Sequence, residues 1–147
     1  MKPMRLELVG VSPQTGTHML VLREADGNRA LVMGIGAAEA LAIAAGAGKI
    51  QRPRPLTHDL LKSVLDRVDV RVTSVIVHDV RDEAFIASLE INTPNGVHEV
   101  DCRPSDGVAL ALRFDAPIYA DEKVLEQSGI DITTLTRGSD DDAQWID

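Results

Sequence analysis

The sequence predicts an α+β fold in which antiparallel sheets carry helices and a β-β-β-α unit occurs twice. Short segments alternate apolar and polar residues, as half-buried strands do. Two hairpin signals, "ADGN" and "TPNG", separate pairs of such segments. The third strand of each set leads into an alanine-rich or leucine-rich helical segment. The chain has 147 residues, the length of one domain. We expect a single domain over residues 1–135 and an acidic, disordered tail over 136–147.

The first half of the chain predicts three strands and a helix. Residues 4–11 and 18–23 alternate as strands, and 29–33 follow the turn "ADGN" as the third strand. Residues 34–48 are rich in alanine and predict a tightly packed helix that Gly46 and Gly48 close. The segment "QRPRP" then forms a stiff extended loop, because each proline excludes its predecessor from the helical region.

The second half begins with an amphipathic helix over residues 57–68. Its apolar residues Leu61, Val64, Leu65 and Val68 have the i, i+3, i+4, i+7 spacing of one helix face. The elements expected after it are strands at 70–80, 84–91 and 97–103, a helix at 104–114, a short strand at 117–120 and a short helix at 122–127.

The two halves repeat each other at a shift of 67 residues without gaps. Residues 18–23 fall on 85–90, and the helical segment beginning at Glu39 falls on the one beginning at Asp106. We interpret this pattern as an internal duplication of one strand-strand-strand-helix unit.

Composition limits the classes of function. The net charge of −8 opposes non-specific binding to nucleic acid, so phosphate chemistry requires a local basic cluster or a divalent metal. The single cysteine, Cys102, excludes an internal disulfide and fits a reducing compartment. The chain shows neither a signal peptide nor an apolar run of about 18 residues, so we expect a cytoplasmic location and no membrane contact.

Two similar motifs, "RPLTHDLL" and "RPSDGVALALR", carry the chemistry-bearing residues. Each has Arg-Pro, then a hydroxyl residue, an acid and an apolar run. Helix capping explains much of this, because Thr57 and Ser105 are good N-caps and Asp59 and Asp106 favour a first turn. Capping requires no histidine, however, and His58 sits at the start of the first helix. Both interpretations, capping and a site for a charged substrate, remain open from sequence.

Charged residues around these motifs suggest two kinds of binding. Four arginines lie in or near the motifs: Arg52, Arg54, Arg103 and Arg113. They can form a phosphate-sized patch or form ion pairs with nearby aspartates. If the two halves pack about a pseudo-twofold axis, Glu39 and Asp106 approach each other and can hold a divalent cation or share a proton. Walker A, GxGxxG, HExxH and zinc-binding patterns are absent. Aromatic residues make up 3 % of the chain, too few for a base-stacking platform.

The blocks "MGIGAAEALAIAAG", "RPLTHDLLKSVL" and "VDCRPSDGVALALRFDAPIYADEKVLE" resemble the bifunctional nuclease (BFN) domain family, which has bacterial members, over about residues 5–130. The resemblance implies an α+β fold, self-association and nuclease activity on DNA and RNA. The chain departs from the family in the strand before the first helix, which reads "ALVMGIGAAEA". The motif positions that carry over are Glu39, Arg54, Thr57, His58, Asp59, Arg103, Ser105, Asp106 and Arg113.

Two functions follow as hypotheses. The first is a nuclease that hydrolyses phosphodiester bonds of DNA or RNA with the help of Mg²⁺ or Mn²⁺. Its catalytic residues are His58, Asp59 and Asp106. Its substrate-binding residues are Arg54, Arg103, Ser105 and Arg113. Its metal ligands are Glu39, Asp59 and Asp106. The alternative is a non-catalytic oligomeric module that binds a small anionic ligand or a protein partner, which the acidic charge and scarce aromatics favour. In either case we expect a homo-oligomer, most simply a dimer.

Overall fold

The fold is one large, mostly antiparallel sheet with helices packed on it, so the predicted α+β class is confirmed. The structure, a computed structural model, describes residues 1–134 and 144–145. The strands are β1 (Lys2–Val11), β2 (His18–Glu24), β3 (Arg29–Ile35), β4 (Arg71–Arg81), β5 (Ala84–Thr93), β6 (Gly96–Cys102), β7 (Ile118–Ala120), β8 (Ile130–Asp131) and β9 (Gln144–Trp145). The helices are α1 (Ala37–Gly46), α2 (Thr57–Arg67), α3 (Pro104–Phe114) and α4 (Glu122–Ser128).

Two three-stranded meanders form the sheet, in the order β6-β5-β4-β7-β1-β2-β3-β8. The short strand β7 lies between them, parallel to β4 and antiparallel to β1. The first strands of the two meanders therefore face each other across β7, and their third strands lie towards opposite edges. This arrangement leaves β6 at one edge of the sheet.

The predicted internal duplication is visible in the order of elements. Each half is a meander followed by a helix, and β3 shifted by 67 residues coincides with β6, residue for residue. The first strand of each half also contains a bulge, between Leu6 and Leu8 in β1 and between Val72 and Ser74 in β4. The halves differ at the second hairpin. Residues 25–28 connect β2 and β3, whereas two residues join β5 to β6, so the register of that pair differs by two residues.

The core lies between the sheet and the two related helices. Helices α1 and α3 pack against each other, and α3 also packs on β4 and β5. Small residues make this close approach possible: Ala40, Ala42 and Ala44 of α1 are buried, as are Ala109 and Ala111 of α3. The alanine-rich composition that predicted these helices is thus the means by which the two halves meet.

Gly107 marks the closest contact between α3 and the sheet. A Cβ atom at this position would lie 2.5 Å from Val75 Cγ2 and 3.1 Å from Cys102 Sγ. We expect Gly107→Ala to lower the free energy of unfolding by roughly 1–2 kcal/mol, because overpacking outweighs the gain in helix propensity. Urea denaturation measures the change. Gly34→Ala is the control, since nothing lies within 4 Å of its Cβ position; equal stability of the two variants would contradict the prediction.

The helix predicted over residues 57–68 is present as α2. Its apolar stripe is mostly exposed, because Leu61, Val64 and Val68 face outward and, within the stripe, only Leu65 contacts the core. The helix is held instead by polar contacts of its first two turns with α3 and by Lys62, whose ammonium lies 4.9 Å from the Phe114 ring centroid. The apolar stripe on α2 is therefore part of the protein surface rather than of the core.

The tail falls mostly outside the described residues. Its backbone is described only at Gln144–Trp145, which pair antiparallel with Gly10 and Val11 of β1. The remaining expectation of a disordered tail stays a prediction. Within residues 1–134 and 144–145, no helix is long and apolar enough to cross a membrane.

Candidate active site

A cleft of about 750 Å³ lies where α1, α2, α3 and β6 meet, and we call it the central cleft. The duplication positions it, because the first turns of the paired helices α1 and α3 both line it. The first turn of α2 lines it as well. Its charged lining residues are Glu39, His58, Asp101, Arg103 and Asp106. Its apolar walls include Leu41, Leu61, Leu89, Val100 and Leu110.

Asp106 is the centre of the polar cluster in the cleft. Its Oδ1 atom lies 2.9 Å from His58 Nε2, and its Oδ2 atom accepts a hydrogen bond of 2.9 Å from Arg103 Nε. Helix α3 begins at Pro104, and its N-cap residue, Arg103, makes no side-chain cap. Asp106 contacts His58 across the cleft and Arg103 at the start of its own helix. The capping explanation of "RPSD" does not describe this carboxylate.

His58 comes to Asp106 from a position 48 residues away in sequence. Its side chain is 13 % exposed, against 31 % for Asp106, so the carboxylate is the part of the pair that faces solvent. The other ring nitrogen, Nδ1, is buried and has no hydrogen-bond partner among the described residues. With a proton on Nε2, the ring donates to Asp106 Oδ1.

Arg103 links the two carboxylates that the duplication relates. Its Nη2 atom lies 2.9 Å from Asp106 Oδ2 and 3.8 Å from Glu39 Oε2. Glu39 and Asp106 thus approach each other as the pseudo-twofold predicted, with a guanidinium as the cation between them. The Arg103 side chain is 65 % exposed, so its remaining N–H groups are accessible to an anion.

The expected metal ligands do not come together. Across the described residues, no group of three His, Cys, Asp or Glu side chains is placed to hold an ion. Asp59 is outside the central cleft, and Arg103 lies in the position between Glu39 and Asp106 that a cation would take. The donor set present here does not fit Mg²⁺ or Mn²⁺, so we derive no step through a metal.

Asp59 lies in a separate hollow beside the cleft and is fully engaged. Arg113 Nε donates to its Oδ1 and Arg52 Nε to its Oδ2, both at 2.7 Å, and the Leu56 N–H donates to Oδ2 at 2.8 Å. Burial raises the pKa of Asp59, but these donors outweigh it, the Leu56 N–H first and the two guanidiniums after it, and lower the pKa to about 2. The sequence analysis predicted that Asp59 acts beside His58 in catalysis. In the structure Asp59 belongs to an ion-pair network with Arg52 and Arg113.

The other predicted substrate-binding residues also lie outside the cleft. Arg54 and Arg113 line the same hollow as Asp59. Ser105 is buried in the first turn of α3 and lines a third pocket, beside Arg103 and Phe85. Of the four substrate-binding residues predicted from sequence, only Arg103 lies in the central cleft.

The cleft residues that the prediction left out include Asp101 and Cys102. Asp101 lines the cleft from β6, next to Cys102. Period-two alternation puts Asp101 and Arg103 on one face of the strand, and this signal was present in the sequence. Burial, reinforced by the charges of Asp101 and Asp106, raises the pKa of the Cys102 thiol to about 12. Cys102 is therefore a protonated wall of the cleft and no nucleophile at neutral pH.

The fold and the cleft define an α+β domain whose two related halves enclose a His-Asp-Arg cluster. The chain belongs to the bifunctional nuclease domain family, whose profile matches residues 20–133. This range contains every charged residue of the central cleft. The predicted family is confirmed.

Relatives of the chain include proteins with and without an assigned activity. An uncharacterized protein of Mycobacterium tuberculosis is 38 % identical over 130 residues, which cover 88 % of this chain and 77 % of that protein. A protein of Oryza sativa subsp. indica named bifunctional nuclease 1 is 23 % identical over 123 residues, 81 % of this chain and 37 % of that protein. A bifunctional nuclease of Oryza minuta matches to the same extent.

Proposed function

We propose that this protein hydrolyses phosphodiester bonds in the central cleft. The observation that supports the proposal best is the contact of Asp106 with both His58 and Arg103, at 2.9 Å each. A carboxylate that can accept a proton is thereby held between a positioning imidazole and a phosphate-binding cation, at the mouth of an apolar-walled cleft. Membership in the bifunctional nuclease domain family supports the same reaction class.

Each residue has a distinct role in this proposal. Arg103 donates N–H groups to a non-bridging phosphate oxygen, which supplies the positive charge that an acidic protein otherwise lacks. The exposed carboxylate of Asp106 orients an attacking water and accepts its proton. His58 positions that carboxylate from behind by donating its Nε2–H to Oδ1, while the proton taken from water stays on the Asp106 carboxyl group. Asp106 gives this proton to the leaving oxygen as the P–O bond breaks.

This route uses water as the nucleophile and requires no ribose 2′-hydroxyl. It therefore accommodates DNA and RNA alike. The test is cleavage of labelled single-stranded DNA and RNA by purified protein, with EDTA and with Mg²⁺ or Mn²⁺ in parallel. We expect cleavage in all three conditions, because the described residues offer a guanidinium where a metal would sit. Absence of cleavage in every condition overturns the proposal and favours the non-catalytic module.

We also propose that the exposed face of α2 packs against a second copy of the chain. Leu60, Val64 and Val68 are 60 %, 51 % and 56 % exposed, so α2 presents an apolar surface that the described residues leave uncovered. Arg67, at the end of the helix, is the only charged residue of α2 on this face, and a twofold axis lets a largely apolar face cover itself. Covering α2 would also narrow the central cleft, which Leu61 lines.

Sedimentation tests this assembly. We expect a species of about twice the chain mass of 15.9 kDa at micromolar concentration, and Val64→Asp should convert it to monomer because a carboxylate is then buried at the interface. Ile130→Asp is the control, since Ile130 is comparably exposed on β8, at the opposite edge of the sheet from β6. A wild-type protein that sediments only as monomer contradicts the prediction.

A further inference from the structure

A second hollow lies next to the central cleft, and we call it the basic hollow. It has a volume of about 480 Å³ and is bounded by the end of α1, the "RPRP" segment, α2 and the last turn of α3. Its charged and hydroxyl residues are Arg52, Arg54, Asp59, Lys62, Ser63 and Arg113. Three arginines, one lysine and one carboxylate line it, on a protein whose net charge is −8, and Lys62 is paired with Asp66 outside the hollow. Such a local concentration of positive charge is an anion site by electrostatics.

Arg113 gives the hollow a buried guanidinium with unused donors. Its side chain is only 3 % exposed. Nε donates to Asp59, and Nη1 donates to the carbonyl oxygens of Ala42 and Ala109 at 3.0 and 2.8 Å. Nη2 is buried and has no partner within the described part of the chain. Because an unpaired buried donor is costly, these N–H groups need an acceptor beyond the described residues, and a ligand in the hollow could supply it.

Asp59 does not neutralise the hollow. Its single charge is shared between Arg52 and Arg113, so one positive charge of that network is uncompensated. The low pKa of Asp59, about 2, means that this balance does not change near neutral pH. Arg52 also donates Nη1 to the Ala45 carbonyl oxygen, which fixes its guanidinium in place.

Arg54 adds a further charge at the rim. It is exposed, and no hydrogen bond or ion pair connects it to any other described residue. It stands between two prolines, which restrict the backbone around it and reduce the entropy lost when the side chain binds. Exposed Arg54 and buried Arg113 line the same hollow. Two guanidinium groups together can donate to the several oxygens of a phosphate group.

We infer that the basic hollow binds a phosphate group. The inference deepens the proposed function, because the site sits where a strand leaving the cleft would place a neighbouring phosphodiester. Pro55 lines both the cleft and the hollow. His58 and Asp59, consecutive in the first turn of α2, line the two sides. A bound strand thus contacts Arg103 at the reacting phosphate and the basic hollow at an adjacent one. A free phosphate ion or phosphomonoester offers the same chemistry.

Arg54→Gln tests the site, with Arg67→Gln as the matched control. Arg67 is an exposed arginine in the last turn of α2, the helix that follows the Arg54 segment, and it does not line the hollow. Binding is measured in EDTA with a fluorescent, cleavage-resistant phosphorothioate DNA of about 12 nucleotides, within the site sizes of single-strand binders. We expect Arg54→Gln to weaken binding several-fold and to reduce the salt slope by about 0.7, the value for one single-strand phosphate contact. Arg67→Gln should match wild type in both.

The same variants are titrated with inorganic phosphate alone. Loss of DNA affinity in Arg54→Gln supports a phosphodiester occupant, and loss of phosphate affinity with unchanged DNA binding supports a free phosphate or phosphomonoester. If Arg54→Gln equals Arg67→Gln with both probes, the inference is overturned. Because binding is read without cleavage, an inactive protein that still shows the Arg54 effect refutes the proposed hydrolysis while supporting the phosphate site.

Discussion

Asp106→Asn should reduce the rate of phosphodiester cleavage by about 10²–10⁴-fold, the contribution of a general base or acid. Asparagine keeps the shape of the side chain but accepts a proton poorly and removes the charge that pairs with Arg103. Because Asp106 makes no cap hydrogen bond to α3, the helix should persist. The measurement is the initial rate on labelled DNA and RNA, together with the melting temperature of each protein.

His58→Ala should reduce the rate in the same direction, since it leaves the Asp106 carboxylate without the donor 2.9 Å away. His58→Gln offers a replacement N–H donor and should recover part of the rate, which distinguishes a positioning residue from a purely structural one. His98→Ala is the control, because His98 is exposed on β6 and does not line the cleft. Wild-type rates in both Asp106→Asn and His58→Ala would place the activity elsewhere.

Asp59→Ala should destabilise the protein by about 3–5 kcal/mol, because it leaves the buried guanidinium of Arg113 without its counter-ion. For a chain of this length, the melting temperature should fall on the order of 10 °C. The Leu56 N–H at the start of α2 also loses its acceptor. Urea denaturation followed by circular dichroism measures the change.

The matched control for this prediction is Asp66→Ala in the same helix. Asp66 forms an exposed i,i+4 pair with Lys62, and such pairs contribute about 0.3–0.5 kcal/mol. The double variant Asp59→Ala/Arg113→Met should recover part of the loss, because it removes the orphaned buried charge. If Asp59→Ala and Asp66→Ala cost the same, the network carries no special stability.

The same carboxylate predicts how stability depends on pH. The folded-state pKa of Asp59, about 2, lies below its ordinary value of 3.8, so its contribution is fully present above about pH 4. It is lost as pH falls from about 4 to 2, and the difference of the two pKa values corresponds to about 2 kcal/mol. Unfolding free energies of wild type and Asp59→Asn should therefore converge at acidic pH.

Local pattern determined most of the secondary structure, because alternation, turn residues and proline act over a few neighbouring residues. The strand predicted at 97–103 and the helix at 104–114 lie within a residue of β6 and α3. The internal duplication could also be predicted, because a repeat at a shift of 67 residues is a property of the sequence and does not depend on tertiary contacts. It even anticipated that Glu39 and Asp106 approach each other. The apolar spacing of α2 was real as well, but spacing cannot say whether a stripe meets the core or solvent.

Only the tertiary structure decided which chemistry-bearing residues share a site. His58 and Asp59 are neighbours in sequence, but successive side chains on an α-helix point about 100° apart. One therefore enters the central cleft and the other enters the basic hollow. The sequence by itself determined the fold class and the presence of a charged cluster at the helix starts. The packing of α2 on α3 assigned His58 to Asp106 and Asp59 to Arg113, because contacts across some 50 residues depend on how the helices dock.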